Sequence, residues 1–322
     1  MLEQIKKQSF VFSEAPSNIA LIKYMGKIDS TNNRPSNPSL SYTLGHLRTR
    51  VEAEANDQQK DTWVPLNRES WGAPDLNEKS IHRFLKFFGT LKSELAIDGC
   101  FTLRSANNFA SDCGLASSAS SFAALTKLAG ELYRLQYGKE VPNDKLSELS
   151  RRGSGSSCRS FFDSWSIWDD YGAVNAELPF KNLLHQVIMV ESGKKEVSSS
   201  DAHLRVTTSL NFIGRTERAK ERLVQLVEAF QSKDWKAAFE ITWAEFWDMH
   251  SLFETSTPSF GYMTADTLKA LEVVKTFWRE FNDGPICTMD AGPNVHLLWR
   301  ADQATLFKTM SNHLKDFKVV ST

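Results

Sequence analysis

Cys113-Gly-Leu-Ala-Ser-Ser-Ala-Ser-Ser-Phe-Ala-Ala-Leu-Thr-Lys-Leu-Ala-Gly-Glu-Leu-Tyr-Arg-Leu135 reads as a small-residue turn feeding the N-terminus of a buried helix. From Ser117 to roughly Leu135, Ala and Leu recur at helical spacing, with Gly114 just ahead of them. A strand, Cys100-Phe-Thr-Leu-Arg-Ser105, precedes the turn. Small residues before a helix let a ligand approach the backbone closely. The unpaired N–H groups of the first turn and the positive end of the helix dipole favour an anion there. Ser117 and Ser118 can add hydroxyl contacts to a phosphate or to hydrated Mg²⁺. The same serines also read as plain helix caps. The stretch is not a Walker A motif, because no Gly-Lys-Ser/Thr follows the glycine.

Outward from this stretch the pattern is mixed. Val51-Glu-Ala-Glu-Ala alternates like a half-exposed strand, and Ser80-Ile-His-Arg-Phe-Leu-Lys-Phe-Phe reads as a capped amphipathic helix. Lys145 to Arg152 predicts a further short helix, broken by Gly153-Ser-Gly-Ser-Ser-Cys-Arg-Ser160. The second half changes character. Val187-Ile-Met-Val190 predicts a short strand, Arg215 to about Phe253 one long helical pattern, and Thr264 to Phe281 another helix. Two short strands, Ile286–Met289 and Val295–Trp299, flank an Asp-Ala-Gly-Pro-Asn turn. This order predicts an α+β architecture in two halves, divided near residue 182 into domains 1–182 and 183–322.

The bulk numbers remove several function classes. The chain has 322 residues with 41% hydrophobic and 24% charged content, ordinary for a soluble globular protein. A formal net charge of -1 supplies no global field for nucleic acid or an anionic membrane, so an anionic ligand must be held by local positive groups. No apolar run predicts a spanning helix, and the start lacks the apolar core of a secretory signal. Cys100, Cys113, Cys158 and Cys287 form no Cys-x-x-Cys pair, which points to free thiols and a cytoplasmic setting. No His/Cys metal constellation is present in the sequence.

Three further stretches carry candidate chemistry. Gly153–Ser160 adds Arg159, whose planar fork suits phosphate or carboxylate, to a second Gly/Ser turn; it reads equally as a surface loop. Lys23 and Lys27 lie in Asn18-Ile-Ala-Leu-Ile-Lys-Tyr-Met-Gly-Lys27, an apolar and extended run. Period two puts Lys23, Met25 and Lys27 on one face and Tyr24 on the other. Two ammonium groups on one face call for an anion between them, or else for a solvated strand face. Asp290 opens a Gly-Pro turn, where it reads as a turn aspartate bonding its own backbone or as a catalytic carboxylate. The tryptophans, with Trp243 and Trp247 four apart on one helix face, read as core, and His250 and His296 as structural.

Taken jointly, these stretches closely resemble the diphosphomevalonate decarboxylase family of the GHMP kinase superfamily. The matching residues are Ala15-Pro-Ser-Asn-Ile-Ala-Leu-Ile-Lys-Tyr-Met-Gly-Lys27, Asn37-Pro-Ser-Leu-Ser41, Asn107-Asn-Phe, Gly114-Leu-Ala-Ser-Ser-Ala-Ser120, Arg152-Gly-Ser-Gly-Ser-Ser-Cys-Arg-Ser160, Lys194-Lys-Glu-Val-Ser-Ser199 and Met289-Asp-Ala-Gly-Pro-Asn294. They run in family order over nearly the whole chain. The sequence departs from the family at Met25, where Trp is usual, at Ala110-Ser-Asp-Cys113, where Pro-Thr-Ala-Ala is frequent, and at Asp163 and Ser164, where two glycines are usual. The segment after Trp168 is also short.

The resemblance implies a GHMP-kinase-like two-domain fold. Its N-terminal half is similar to ribosomal protein S5 domain 2, its C-terminal half is α+β, and the active site lies in the cleft. The implied activity is ATP- and Mg²⁺-dependent decarboxylation of mevalonate 5-diphosphate to isopentenyl diphosphate, with phosphorylation of the 3-hydroxyl followed by loss of phosphate and CO₂. It also implies roles. Asp290 is the general base, Lys23 its cationic neighbour, and Arg159 completes the catalytic set. Tyr24, Lys27, Ser156, Arg159 and Ser199 hold the substrate's carboxylate and diphosphate. Ser105, Gly114, Leu115, Ser117 and Ser118 lie on the nucleotide side. Relatives are often homodimers, so a homodimer is expected, with no nucleic-acid or membrane partner. A tertiary alcohol is a poor nucleophile that needs a base within hydrogen-bond reach, and an ammonium beside that base favours its ionised form. The alternatives are a decarboxylase of the monophosphate, a 3-kinase, and a ligand-binding relative without turnover.

Overall fold

The computed structural model describes residues 10–74, 76–109, 117–190 and 196–321. Backbone contacts divide the chain into two compact units. The first comprises Met1–Asn18, Asp29–Arg34 and Thr43–Asn175, and the second Ile19–Ile28, Pro35–Tyr42 and Ala176–Thr322. Residues 19–28 and 35–42 therefore group with the C-terminal part of the chain.

In the N-terminal part of the chain, β1 (Val11–Ile22) is followed by the short strands β2 (Lys27–Asp29) and β3 (Arg34–Pro35), then by β4 (Ser39–Asn56) and β5 (Thr62–Pro65). Helix α1 (Glu78–Leu95), β6 (Cys100–Asn107), α2 (Ser117–Tyr137), α3 (Asn143–Gly153), a 3-10 turn (Gly155–Phe161), β7 (Trp165–Asp169) and β8 (Gly172–Asn175) complete it. The sheet runs β5-β6-β4-β7-β8, with β1 also pairing with β4. β4 lies antiparallel to β6 from Thr49↔Asn107 to Asn56↔Cys100, and β5 is parallel to β6.

The predicted helix at Ser80 spans Glu78–Leu95 and buries Phe84, Phe87, Phe88, Leu91 and Leu95. These positions recur at three- and four-residue steps, and each such side chain contributes roughly 1.5–3 kcal/mol on burial. The Asn77 side chain caps the helix by accepting from the Ser80 N–H. Against this face packs α2, whose Ala123, Ala124, Leu125, Leu128, Ala129 and Leu132 are buried in the same core.

In the second unit, β9 (Leu184–Met189), β10 (Ile286–Thr288), β11 (Val295–Trp299) and β12 (Lys318–Ser321) form an antiparallel sheet in the order β10-β11-β9-β12. Its helices are α4 (Ser199–Arg205), α5 (Arg215–Gln231), α6 (Trp235–Glu254), α7 (Ala265–Phe281) and α8 (Ala304–His313). β10 packs against α6. Among the described residues no helix is long and apolar enough to cross a membrane.

Three sequence expectations change. The helical pattern from Arg215 to Phe253 is two helices. Lys233 takes a left-handed φ of 60°, and the Asp234 side chain caps α6 by accepting from the Ala237 N–H, so the helix restarts there. Hydrophobic periodicity alone runs through such a break. The run Ile19–Lys27 does not alternate as one strand. β1 ends at Ile22, Lys23 through Gly26 are all buried, and Gly26 sits at φ 97°. Trp247 is 37% exposed rather than core, because α6 turns its opposite face, with Glu245, Phe246 and Met249, inward.

Candidate active site

Asp290 leaves the end of β10 and starts a turn held from several sides. The Gly292 N–H donates to the Asp290 carbonyl at 2.8 Å. The hydroxyl of Thr267, in the first turn of α7, donates to the Pro293 carbonyl at 3.0 Å. The Asn294 side chain accepts from the Val190 N–H at 2.8 Å. His250 on α6 reaches the Asp290 carbonyl through Nε2 at 3.1 Å. A carbonyl only accepts, so Nε2 of His250 carries the hydrogen. Burial lowers the pKa of this imidazole to about 4, against the pull of the hydrogen bond to Asp290, so His250 is neutral.

The Lys23 ammonium meets the Asp290 carboxylate, with Nζ 2.7 Å from Oδ1. The lysine side chain is 2% exposed and the aspartate side chain 33%. An ammonium buried to this degree needs a counter-charge, and Asp290 supplies one while keeping an open edge. The Thr288 hydroxyl donates to the Ala20 carbonyl at 3.1 Å and so ties β10 to the run that carries Lys23.

Around Lys23, Tyr24 packs against His203 of α4 with ring centroids 4.2 Å apart and the rings tilted by 36°. The Gly26 N–H donates to His203 Nδ1 at 3.1 Å, which places that ring's hydrogen on Nε2. A Cβ on Gly26 would lie 2.6 Å from Ser36 Oγ and 2.7 Å from the Phe212 ring, so position 26 takes only glycine without a shift of its neighbours. Ser199 opens α4 and is exposed, next to Ser198, which caps the helix by accepting from the Asp201 N–H.

In the first unit the arginine turn is held by hydrogen bonds among Arg159, Asn18, Ser160 and Ser156. Arg159 is 3% exposed, and its Nε donates to Asn18 Oδ1 at 3.2 Å. Asn18 in turn donates to Ser160 Oγ at 2.8 Å and to the Ser156 carbonyl at 3.1 Å. The guanidinium carbon lies 5.6 Å over the Trp168 ring. Near the start of α2, Ser118 Oγ accepts from Ser154 Oγ at 3.4 Å, so the two Gly/Ser turns legible in the sequence are neighbours. Ser105 is buried on β6, and its Oγ accepts from the Trp63 indole at 2.9 Å. Ser117 is half-buried. Gly114, Leu115 and Asp112 lie outside the described residues, as do Lys194 and Lys195.

Residues 15–176 match the family described as diphosphomevalonate decarboxylase-like N-terminal domain, and residues 186–320 match the mevalonate 5-diphosphate decarboxylase C-terminal domain. The chain belongs to the diphosphomevalonate decarboxylase family. It is similar to the diphosphomevalonate decarboxylase of Candida albicans, at 32% identity over 94% of this chain and 87% of that one. A crystal structure of a mevalonate diphosphate decarboxylase from Legionella pneumophila is 46% identical and superposes with a TM-score of 0.91, covering 97% of this chain and all (100%) of the other. A third structure, described as MDDEF in complex with MVAPP, AMPPCP and magnesium, is 30% identical with a TM-score of 0.84, over 97% of this chain and 95% of that one. The α+β architecture is thus the two-domain GHMP-kinase-like fold of these decarboxylases.

Several residues that bond Arg159 in the first unit, or Lys23 and Asp290 in the second, carry no assigned role in the sequence reading. Asn18 stands inside a matching motif, which is the signal the sequence offers; its contact with Arg159 spans 141 residues and is visible only in the fold. Arg215 and Glu245, which bond the backbone of Lys23, stand far from it in the chain and carry no motif. His250 is buried as expected, yet it also fixes the Asp290 backbone. The groove lined by Trp243, Trp247, Leu268 and Leu271 shares no residue with the Lys23–Asp290 cluster.

Proposed function

We propose that this chain catalyses the ATP-dependent decarboxylation of mevalonate 5-diphosphate to isopentenyl diphosphate. The observation that carries the reading is the 2.7 Å contact between the buried Lys23 ammonium and a partly open Asp290 carboxylate. A carboxylate so placed can take the proton of the 3-hydroxyl as that oxygen attacks the terminal phosphoryl group of ATP, with ADP as leaving group. The new O–P bond makes the 3-oxygen part of a phosphate ester, and the C3–O bond of that ester then breaks with departure of phosphate. The electrons of the C–CO₂ bond close the carbon–carbon double bond, and CO₂ is released. Lys23 remains protonated throughout and offsets negative charge next to the reacting oxygen.

The remaining roles follow the same reading. Arg159, held by Asn18, presents its fork to the substrate's carboxylate, with Ser156 beside it. Tyr24, Lys27 and Ser199 hold the diphosphate, and Ser105, Gly114, Leu115, Ser117 and Ser118 serve the nucleotide. Among the described residues no group of three or more His, Cys, Asp or Glu side chains is arranged to hold a metal ion. A magnesium ion held chiefly by phosphate oxygens and water, with Ser118 and Ser154 hydroxyls at hand, fits this donor set. When bound, it neutralises charge on the phosphates. The relative solved with MVAPP, AMPPCP and magnesium supports this choice of ligands. A homodimer in the cytoplasm belongs to the same reading, on the strength of the family resemblance and the isolated thiols.

The test is direct. Purified protein is incubated with ATP, Mg²⁺ and mevalonate diphosphate, and CO₂ and ADP are measured together. Equal amounts of both are expected, with a lower kcat/KM for the monophosphate. ADP without CO₂ would make the protein a kinase, and neither product from folded protein would reject the reading.

A further inference from the structure

We propose that the buried Arg215–Glu245 ion pair is a positioning device that sets the Lys23 ammonium against Asp290 by gripping the Lys23 peptide at both its N–H and its carbonyl. The inference rests on the proposed decarboxylase reading, in which Lys23 and Asp290 touch the reacting oxygen.

Strand β1 ends at Ile22, so the backbone groups of Lys23 must find partners other than a continuing ladder. Side chains supply them. Glu245 Oε1 accepts from the Lys23 N–H at 2.9 Å. Arg215 Nη2 donates to the Lys23 carbonyl at 3.1 Å, and Asn37 Nδ2 donates to the same oxygen at 2.8 Å. Arg215 and Glu245 are both fully buried and are bonded to each other.

This arrangement is a poor choice for stability alone. Removing two charges from water costs several kcal/mol per ion, and replacing such a pair by apolar residues is often neutral or stabilising. What the pair does offer is rigidity. Arg215, Arg218 and Arg222 recur at three- and four-residue steps on one face of α5, facing Glu245 and Asp248 on α6. Arg222 holds Glu245 at 2.9 Å and Asp248 at 2.6 Å, and Arg218 holds Asp248 at 2.9 Å. Glu245 therefore has little freedom to move.

The same helix fixes the other half of the catalytic pair. His250, five residues beyond Glu245 on α6, donates to the Asp290 carbonyl at 3.1 Å. One helix thus grips the backbones of both Lys23 and Asp290 and sets the separation of their side chains. A misplacement of about 1 Å in such a contact can reduce the rate about 100-fold.

The decisive variant is the double replacement Arg215→Met with Glu245→Leu. It removes one positive and one negative charge, so the net charge of the cluster is unchanged, and Arg218, Arg222 and Asp248 keep their mutual bonds. The variant is expected to fold with a melting midpoint near that of the unmodified protein. Its kcat should fall at least tenfold while KM for mevalonate diphosphate changes less than threefold. The acid limb of the kcat profile should move to higher pH, because an aspartate with its ammonium withdrawn protonates more readily. Burial lowers His250 and His296 to about 4 and raises the Cys287 thiol, so these three neighbours do not titrate across that limb between pH 5 and 8.

Unchanged kcat and an unmoved acid limb in folded double variant would overturn the proposal. Should the double variant fail to fold, Arg215→Lys keeps the charge and loses the fork. A severalfold drop in kcat at constant KM supports the proposal there, and full activity overturns it. If the unmodified protein releases no CO₂, the decarboxylase reading fails separately. The grip is then decided by a crystal structure of either variant: a Lys23–Asp290 separation beyond hydrogen-bond reach supports it, and an undisturbed contact overturns it.

Discussion

Lys23 and Asp290 stand 267 residues apart in the chain and 2.7 Å apart in space, one nearly sealed from solvent and the other open on one edge. The asymmetry defines a division of labour. A sealed ammonium cannot exchange partners with water, so its charge is directed at the carboxylate and at whatever binds against it. The open edge of Asp290 is where a hydroxyl can dock. Replacing Lys23 by Met removes the charge and leaves a stem of similar length. Turnover should fall by about 100-fold or more while the protein remains folded, as read by CO₂ release and circular dichroism. Normal turnover would separate the contact from the chemistry.

Acid should weaken the fold well before its carboxylates protonate. Burial lowers His250, His296 and His46 from 6.5 to about 4. In the unfolded chain these imidazoles bind a proton below about pH 6.5, while in the folded protein they stay neutral to about pH 4. Across that window the unfolded state holds more protons, so stability is full above the window and declines as pH falls. The slope is up to about 1.4 kcal/mol per pH unit for each histidine. Urea midpoints at pH 7.5 and pH 5.0 check this. Equal midpoints would mean that the imidazoles are not buried neutral.

Gly26→Ala should damage both fold and substrate binding. The added methyl meets Ser36 Oγ and the Phe212 ring, and φ at 97° is strained for any side chain. The combined cost is about 2–4 kcal/mol. Tyr24 and Lys27 flank the site, so KM for mevalonate diphosphate should rise more than kcat falls. An unchanged KM would argue against their holding the diphosphate.

Ser164→Gly should stabilise the protein. Ser164 sits at φ 56°, in the left-handed region, where the family usually has glycine. Its carbonyl accepts from the Thr43 N–H at 2.7 Å, which holds the strained backbone in place. Relief of the Cβ clash, less the greater chain entropy of glycine, leaves a gain of up to about 1 kcal/mol. Thermal melting decides the sign, and a lower midpoint would show that the serine side chain contributes more than its strain.

How much of this was legible beforehand depended on the range of the interaction. Local signals read well: the apolar stripe of α1 and the helices α2 and α7 all depend on residues within a turn or two of each other, although α1 starts at Glu78, capped by Asn77, rather than at Ser80. The break at Lys233–Asp234 did not show, because the apolar period continues across it and only the capping aspartate marks it. Alternation does not hold from Lys23 to Lys27 because Lys23 through Gly26 are buried on both faces, leaving no polar face to alternate with. The pairing of Lys23 with Asp290 is legible only through motif resemblance, since spacing holds no information about a contact across 267 residues. Arg215 and Glu245 were invisible for the same reason: a salt bridge between two helices looks, in sequence, like ordinary surface charge. A single cut near residue 182 likewise could not express that residues 19–28 and 35–42 group with the C-terminal unit.

The most direct test of the account is Asp290→Asn, assayed for CO₂ and ADP with ATP, Mg²⁺ and mevalonate diphosphate. The amide keeps the shape and still accepts from Lys23, but it cannot take a proton. The account predicts folded protein with a somewhat lower melting midpoint and a kcat reduced by about 10²–10⁴-fold. A folded Asp290→Asn protein that turns over at close to the normal rate would contradict it.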